Sequence, residues 1–201
     1  MSQAFPHLRS VCVYCASSNA ADPEFLAAAA AFGRLLAAGG VRLVYGGGGV
    51  GLMGACAKAA HDAGGKVLGV MPAFLQGREV LYDDVETVVV ETMHQRKQIM
   101  FEQADAFAIF PGGIGTLEEV VELMSWRRLG LHHKPIVFYS PKGFWAPLFE
   151  LVGHTVRQNL TPAAFLATYE AVDSVEDILP RLNAMAEACA DEAPSAAPRL
   201  M

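Results

Sequence analysis

Four short segments carry residue types and spacings suited to chemistry. Two are glycine turns: Gly46-Gly47-Gly48-Gly49-Val50-Gly51-Leu52-Met53-Gly54, and Pro111-Gly112-Gly113-Ile114-Gly115-Thr116, which runs on into Leu117-Glu118-Glu119. The third is Met93-His94-Gln95-Arg96-Lys97 and the fourth Ala16-Ser17-Ser18-Asn19. Glycine lets a ligand approach the backbone with no Cβ in the way. A helix that starts at such a turn offers unpaired N–H groups and the positive end of its dipole, which together favour a phosphate. Ser17 and Ser18 add hydroxyl donors, Arg96 a permanent cation with a fixed fork of donors, and Glu119 a carboxylate.

Each segment also has a plainer reading. Residues 49–54 match G-x-G-x-x-G, but a dinucleotide site needs an acidic residue about 20 positions on, at the end of the next strand. That strand ends Val70-Met71-Pro72, and no Gly-Lys-Ser/Thr follows the turn, so dinucleotide and P-loop readings both fail. What remains is either a ligand turn or a tight packing of helix on strand. Thr116-Leu117-Glu118-Glu119 has capping-box spacing, in which Glu119 would only bond back to the helix start. The alternative is a carboxylate kept ionised beside a ligand by the helix N-terminus; Glu118, on a neighbouring direction, faces solvent in either case. Arg96 shares an i, i+3, i+7 stripe with Met93 and Met100, which favours a ligand-facing position over the usual exposed one. Lys97 is turned about 100° away from that stripe.

Several chemistries are excluded. Cys12-Val13-Tyr14-Cys15 lies in a strand-like run, where residues three apart point to opposite faces, so the thiols neither pair nor chelate. They read as buried structural thiols, and four cysteines in 201 residues make no disulfide scaffold. The six histidines form no H-E-x-x-H, His132-His133 reads as a polar turn, and there is no G-x-S-x-G elbow. No metal site is expected. The net charge of −6, from 15 Lys plus Arg against 21 Asp plus Glu, lacks the basic excess of a nucleic-acid binder. The apolar run at residues 27–31 falls far short of a membrane span, and residues 1–10 lack the regions of a signal peptide, so a cytoplasmic location is expected.

The elements that must position these segments alternate. Strand-like runs at residues 10–15, 41–45, 66–71, 85–90, 105–110, 135–139 and 168–172 are separated by helical patterns. Asp22-Pro23 opens a helix to about residue 38, and Thr92-Met93-His94-Gln95 is a capping box opening another to about residue 103. Further helices are expected from the first glycine turn to about residue 63, at 116–129, at 144–158 and from 174. Residues 73–84 read as a loop or lid. Apolar strands between helices predict a doubly wound α/β domain with a parallel sheet, over residues 1–190, with a disordered tail at 191–201. Hydrophobic residues make up 53% of the chain, ample for such a core. In that architecture all the turns after strands lie on one edge, so the donor-rich turns can converge on one ligand, a nucleoside monophosphate.

With both turns and Met93-His94-Gln95-Arg96-Lys97 in view, the chain resembles the LOG (Lonely Guy) family of cytokinin-activating phosphoribohydrolases. Its marks are Gly46-Gly47-Gly48, Val50-Gly51-Leu52-Met53-Gly54, the Met-His-x-Arg-Lys segment and Pro111 to Glu119, which follows the P-G-G-x-G-T-x-x-E signature. The resemblance covers residues 11–143 and weakens beyond. It departs at Ala16, where the family usually has Gly, and at Gly49, where it often has Asn. It implies cleavage of the N-glycosidic bond of an N6-substituted adenosine 5′-monophosphate to free base and ribose 5-phosphate, with no cofactor. The catalytic pair carried over is Arg96 and Glu119. The candidate substrate-binding residues are Ser17, Ser18, Gly47, Gly48, Met93, Lys97, Gly112, Gly113, Gly115 and Thr116.

Two other readings compete with this one. A lysine decarboxylase would need pyridoxal phosphate on one of Lys58, Lys66, Lys97, Lys134 or Lys142. A carrier resembling the molybdenum-cofactor carrier proteins would hold a phosphate-bearing ligand without turnover. The resemblance also implies a homodimer, for which Leu117, Val120, Val121, Met124, Trp126, Trp145 and Phe149 are the candidate surface residues.

Overall fold

A computed structural model of the chain describes residues 5–75 and 84–191. The remainder of the segment read as a loop or lid, and the tail from residue 192, lie outside the described residues. In chain order the main elements are β1 (Ser10–Tyr14), α1 (Pro23–Ala38), β2 (Arg42–Tyr45), α2 (Gly51–Asp62), β3 (Val67–Pro72), β4 (Glu86–Val90) and α3 (Met93–Glu102). Then come β5 (Ala106–Ile109), α4 (Ile114–Arg128), β6 (Ile136–Tyr139), α5 (Ala146–Arg157), β7 (Glu170–Val172) and α6 (Ile178–Asp191). All seven strand-like runs form strands. They make one parallel sheet in the order β4-β3-β2-β1-β5-β6-β7. This is the doubly wound α/β fold expected from the alternation.

Alternate residues of the central strands feed two cores. Val11 and Val13 of β1 pack with Phe32 and Leu36 of α1, Leu52 and Cys56 of α2, and Ile178 and Leu182 of α6. Cys12 and Tyr14 point to the other face, with Met100 of α3 and Val120, Leu123 and Met124 of α4. Helix starts follow their capping chemistry where the sequence signals it. Asp22 accepts from the Glu24 N–H (2.8 Å), and the Thr92–Gln95 capping box closes in both directions.

Three expectations are corrected. First, α4 starts at Ile114 with Gly113 as its N-cap, two residues before Thr116, so Thr116 is already inside the first turn and the capping box with Glu119 does not form. Second, His132 is not a polar turn residue but is buried under Phe101 and Phe107. Its Nδ1 accepts the Lys134 N–H (3.2 Å), which leaves the proton on Nε2, facing the Leu123 carbonyl at 3.0 Å. Burial in this apolar site lowers its pKa to about 4. Third, Val120, Met124 and Trp145 belong to the core of the chain and are not surface residues.

Candidate active site

The direction of winding reverses between β1 and β5, which lie side by side in the sheet. At such a switch point the loops leaving the two strands diverge and open a crevice at their carboxyl ends. Here the loops are joined at their roots: Phe110 N–H donates to Tyr14 O (2.9 Å) and Ala16 N–H to Pro111 O (3.1 Å). A cleft of about 540 Å³ lies above them. Ser17, Ser18, Met93, Arg96, Gly113, Gly115, Thr116 and Glu119, all singled out from sequence, line it. Gly47, Gly48, Lys97 and Gly112 do not. Ala16, Gly46, Met53, Ile114 and Glu118 of the same segments also line it, with Met100, which shares the helical stripe of Arg96; Val13 and Cys15 carried no such signal. A larger hollow of about 940 Å³ opens at the opposite edge of the sheet, lined by Arg9, Arg42, His61 and Lys66 among others, and none of the four segments reaches it.

The first glycine turn does not present a free helix N-terminus. The α2 amides are taken by the loop after β1: Gly51 N–H donates to Asn19 Oδ1 (2.9 Å), and Leu52 and Met53 N–H to Ala16 O (3.0 and 3.3 Å). Gly51 has φ +60 and its Cα sits against the backbone of Ser17 and Ser18, so a Cβ there would be both strained and obstructed. This turn therefore packs α2 against the loop after β1. What it contributes to the cleft is the carbonyl of Gly46.

The second turn is different. Gly113 caps α4 with no side-chain bond, and Ile114 is 84% exposed. A Cβ at Gly113 or Gly115 would meet open space, so the protein's own packing does not require glycine at either position. Gly112 does answer to packing, because its Cβ would collide with the Thr116 side chain. The uncapped N–H groups of α4 thus face the cleft through the two glycines that leave it open, the arrangement that suits an anion.

Arg96 enters from α3. It is only 6% exposed, with Nη2 donating to Gly46 O (3.0 Å). Nη1 lies 3.9 Å from Met93 Sδ, and Nε is buried with no hydrogen-bond partner among the described residues. The guanidinium thus stands at the cleft wall with one donor unmatched by the described residues. Glu119, half-buried on α4, shares the cleft. Burial pushes the thiols of Cys12 and Cys15 and the phenol of Tyr14 well up, and on all three Glu119 adds to the rise while Arg96 opposes it. Both charges therefore act on one small volume at the end of β1. Cys12 and Cys15 are buried on opposite faces of the sheet, and burial takes Cys56 to about 12, so these thiols stay protonated. Among the described residues no group of three His, Cys, Asp or Glu side chains could hold a metal ion.

Lys97 turns away from the cleft, its ammonium held by Glu118 (2.5 Å) and Glu122 (2.9 Å). Glu118 is exposed, as expected, but its carboxylate is paired with Lys97. Lys58 pairs with Asp62, Lys142 with Glu24, and Lys134 donates to Phe101 O and sits over its ring. No lysine lines the cleft among the described residues.

Comparison with known proteins agrees with this geometry. The family model described as "Possible lysine decarboxylase" matches residues 53–182. The probable cytokinin riboside 5′-monophosphate phosphoribohydrolase LOG4 of Oryza sativa subsp. japonica is 39% identical over 177 residues, 88% of this chain and 77% of its own length. The cytokinin riboside 5′-monophosphate phosphoribohydrolase LOG2 of Arabidopsis thaliana is 41% identical over 160 residues, 79% and 75% of the two chains. Among solved structures, the molybdenum cofactor binding protein of Rippkaea orientalis superposes with a TM-score of 0.67 at 21% identity, covering 89% of this chain and 97% of that one. The molybdenum cofactor carrier protein of Chlamydomonas reinhardtii gives 0.66 at 21%, covering 89% and 98%. At that identity the structural likeness speaks to the fold alone. The sequence relatives say more: matched across most of its length, and with the Met93–Lys97 and Pro111–Glu119 segments gathered at one cleft, the chain belongs to the LOG family.

Proposed function

We propose that the protein hydrolyses the N-glycosidic bond of adenosine 5′-monophosphate or its N6-substituted forms, releasing the adenine-type base and ribose 5-phosphate. The observation that carries this reading is the pairing of buried Arg96 and Glu119 in one cleft headed by the uncapped N-terminus of α4. The names of the relatives, cytokinin riboside 5′-monophosphate phosphoribohydrolases, point the same way. The α4 amides at Gly113, Gly115 and Thr116, with Ser17 and Ser18, take the 5′-phosphate. This remote anchor fixes the ribose, so its binding energy serves to position the reacting centre. As the C1′–N bond breaks, positive charge develops on the ribosyl ring, much as in glycoside hydrolysis. The Glu119 carboxylate stabilises that charge and directs water to C1′. The water oxygen bonds to C1′, and the base leaves with the electron pair and gains a proton. Arg96 stays protonated throughout and orients phosphate or ribose oxygens with its guanidinium.

A lysine decarboxylase reading does not fit these residues, because pyridoxal phosphate would need a lysine in the cleft. A carrier of the kind seen in the structural neighbours would not need a carboxylate opposite the arginine. The apolar outer face of α4, with Ile114 and Val121 exposed beside Leu117 and Trp126, supports the expected homodimer. No helix among the described residues is long and apolar enough to cross a membrane, which is compatible with the expected cytoplasmic location. The test is chromatography of products from AMP, N6-isopentenyl-AMP and adenosine. Release of base and ribose 5-phosphate from the phosphorylated substrates, with adenosine far poorer, supports the hydrolase. Tight binding without products indicates a carrier.

A further inference from the structure

Arg96 and Lys97 are adjacent on α3, and Glu118 and Glu119 are adjacent on α4. Successive helical residues diverge by about 100°. On each helix, then, one member of the pair faces the cleft and its neighbour can face the other helix. Arg96 and Glu119 line the cleft, and the Lys97 ammonium reaches across to α4, to Glu118 at the cleft rim (2.5 Å) and to Glu122 behind it (2.9 Å). The Lys97 side chain is 10% exposed, unusually buried for a lysine, and it leaves the cleft to Arg96. Glu118 and Glu122 are four residues apart on one face of α4, where two carboxylates repel unless a cation lies between them. Deeper along the same helix pair, the Phe101 ring meets Trp126 edge-on at 5.1 Å. The aromatic contact fixes the far end, and the ion triad spans the helices beside the reacting groups.

We infer that Lys97, held by Glu118 and Glu122, is a positioning residue that sets the separation of α3 and α4 and thereby the placement of Arg96 against Glu119, without itself touching the substrate. Its effect on catalysis rests on the phosphoribohydrolase reading; its effect on Arg96 does not. Burial alone would lower the Lys97 pKa, yet the two carboxylates reverse this and raise it, so Lys97 stays protonated at neutral pH. Displacing a catalytic group by about 1 Å costs on the order of a hundredfold in rate.

Three variants test the inference: Lys97→Met, Lys97→Arg and the double variant Glu118→Gln/Glu122→Gln. Steady-state kinetics on AMP should show kcat falling about ten- to a hundredfold in Lys97→Met and in the carboxylate double variant, with KM within about twofold of wild type. Lys97→Arg, which can still bridge both carboxylates, should restore most of kcat. A second readout needs no turnover: the rate of phenylglyoxal modification at Arg96, followed by peptide mass spectrometry. It should rise in Lys97→Met and in the double variant, as buried Arg96 loosens, and stay low in Lys97→Arg. Absence of AMP hydrolysis by the wild type would remove the functional reading while the modification rates still decide the inference. A raised KM with unchanged kcat in Lys97→Met, beside a wild-type carboxylate double variant, would make Lys97 a substrate ligand and overturn the inference. Unchanged Arg96 reactivity in both disrupted variants would overturn it as well.

Discussion

Gly46 offers a way to move Arg96, the arginine proposed to act at the cleft, without touching it. Its φ is not positive, so alanine is free of backbone strain there. The added Cβ would collide with the Arg96 guanidinium at Nη2 and come within 3.1 Å of Met53 Sδ. Both obstacles are the far ends of flexible side chains, so the fold can accept Gly46→Ala by letting Arg96 swing away. Arg96 then loses its 3.0 Å charge-assisted bond to Gly46 O, worth about 1.5–3 kcal/mol. Stiffening of the unfolded chain returns about 0.4–1 kcal/mol. The net loss of about 1–2 kcal/mol corresponds to a fall in Tm of roughly 2–8 °C for a chain of this size. The catalytic effect should be larger. A guanidinium displaced by about 1 Å or more reduces kcat/KM about a hundredfold, or ~2.7 kcal/mol of transition-state stabilisation. Product chromatography beside a thermal melt reads both quantities on one preparation. A variant that keeps kcat/KM within about threefold of wild type while melting normally would show that the arginine's bond to Gly46 does not set its catalytic position.

Glu119→Gln should abolish AMP turnover while AMP binding by calorimetry persists, because the amide keeps the shape and loses the charge; wild-type turnover would remove Glu119 from the mechanism. Gly115→Ala should gain up to about 1 kcal/mol of stability from helix propensity, because its Cβ meets open space and its φ is unstrained. The same substitution should raise KM for AMP by crowding the ligand side of α4, and an unchanged KM would mean that no ligand passes there. His132 predicts a pH dependence of stability. Its folded pKa of about 4 lies below the unfolded value of about 6.5, so the unfolded chain binds the extra proton first as pH falls. Stability contributed by the neutral ring is complete above pH ~6.5 and declines towards pH ~4, by on the order of 2 kcal/mol after allowing for partial solvent access. Urea titrations of wild type and His132→Gln should show that slope in the wild type and a shallower one in the variant.

The fold was legible because β1, β3, β5 and β6 are buried on both faces and read as unbroken apolar runs, each followed by a turn and a helical period. Boundaries held best where a side chain makes the cap, as at Asp22 and Thr92. They slipped at α4, whose cap is a bare glycine and whose first turn, Ile114-Gly115-Thr116, has poor intrinsic propensity; tertiary placement at the switch point overrides it. Partners distant in sequence were not legible at all. Lys97 reads as a substrate ligand and Glu118 as a solvent residue until the fold pairs them, 21 positions apart in sequence. His132 looks like half of a polar dipeptide until Leu123 O and the Lys134 N–H hold its two nitrogens.

The glycines carry the most compressed information, because one residue type answers several unrelated constraints. Gly51 is a conformational necessity, Gly112 makes room for Thr116, and Gly46 makes room for the arginine. Gly113 and Gly115 satisfy no packing or φ requirement of the chain itself. Inside the first turn of α4, Gly115 lowers helix stability relative to alanine, whereas Gly113 stands at the N-cap, where glycine is itself favoured over alanine. The two glycine turns look alike in sequence, yet α2 begins with its amides bonded to the β1 loop, whereas α4 begins with no side-chain cap behind two unobstructed glycines. The second turn leaves a helix N-terminus open at the cleft, and the first holds Arg96 through the carbonyl of Gly46.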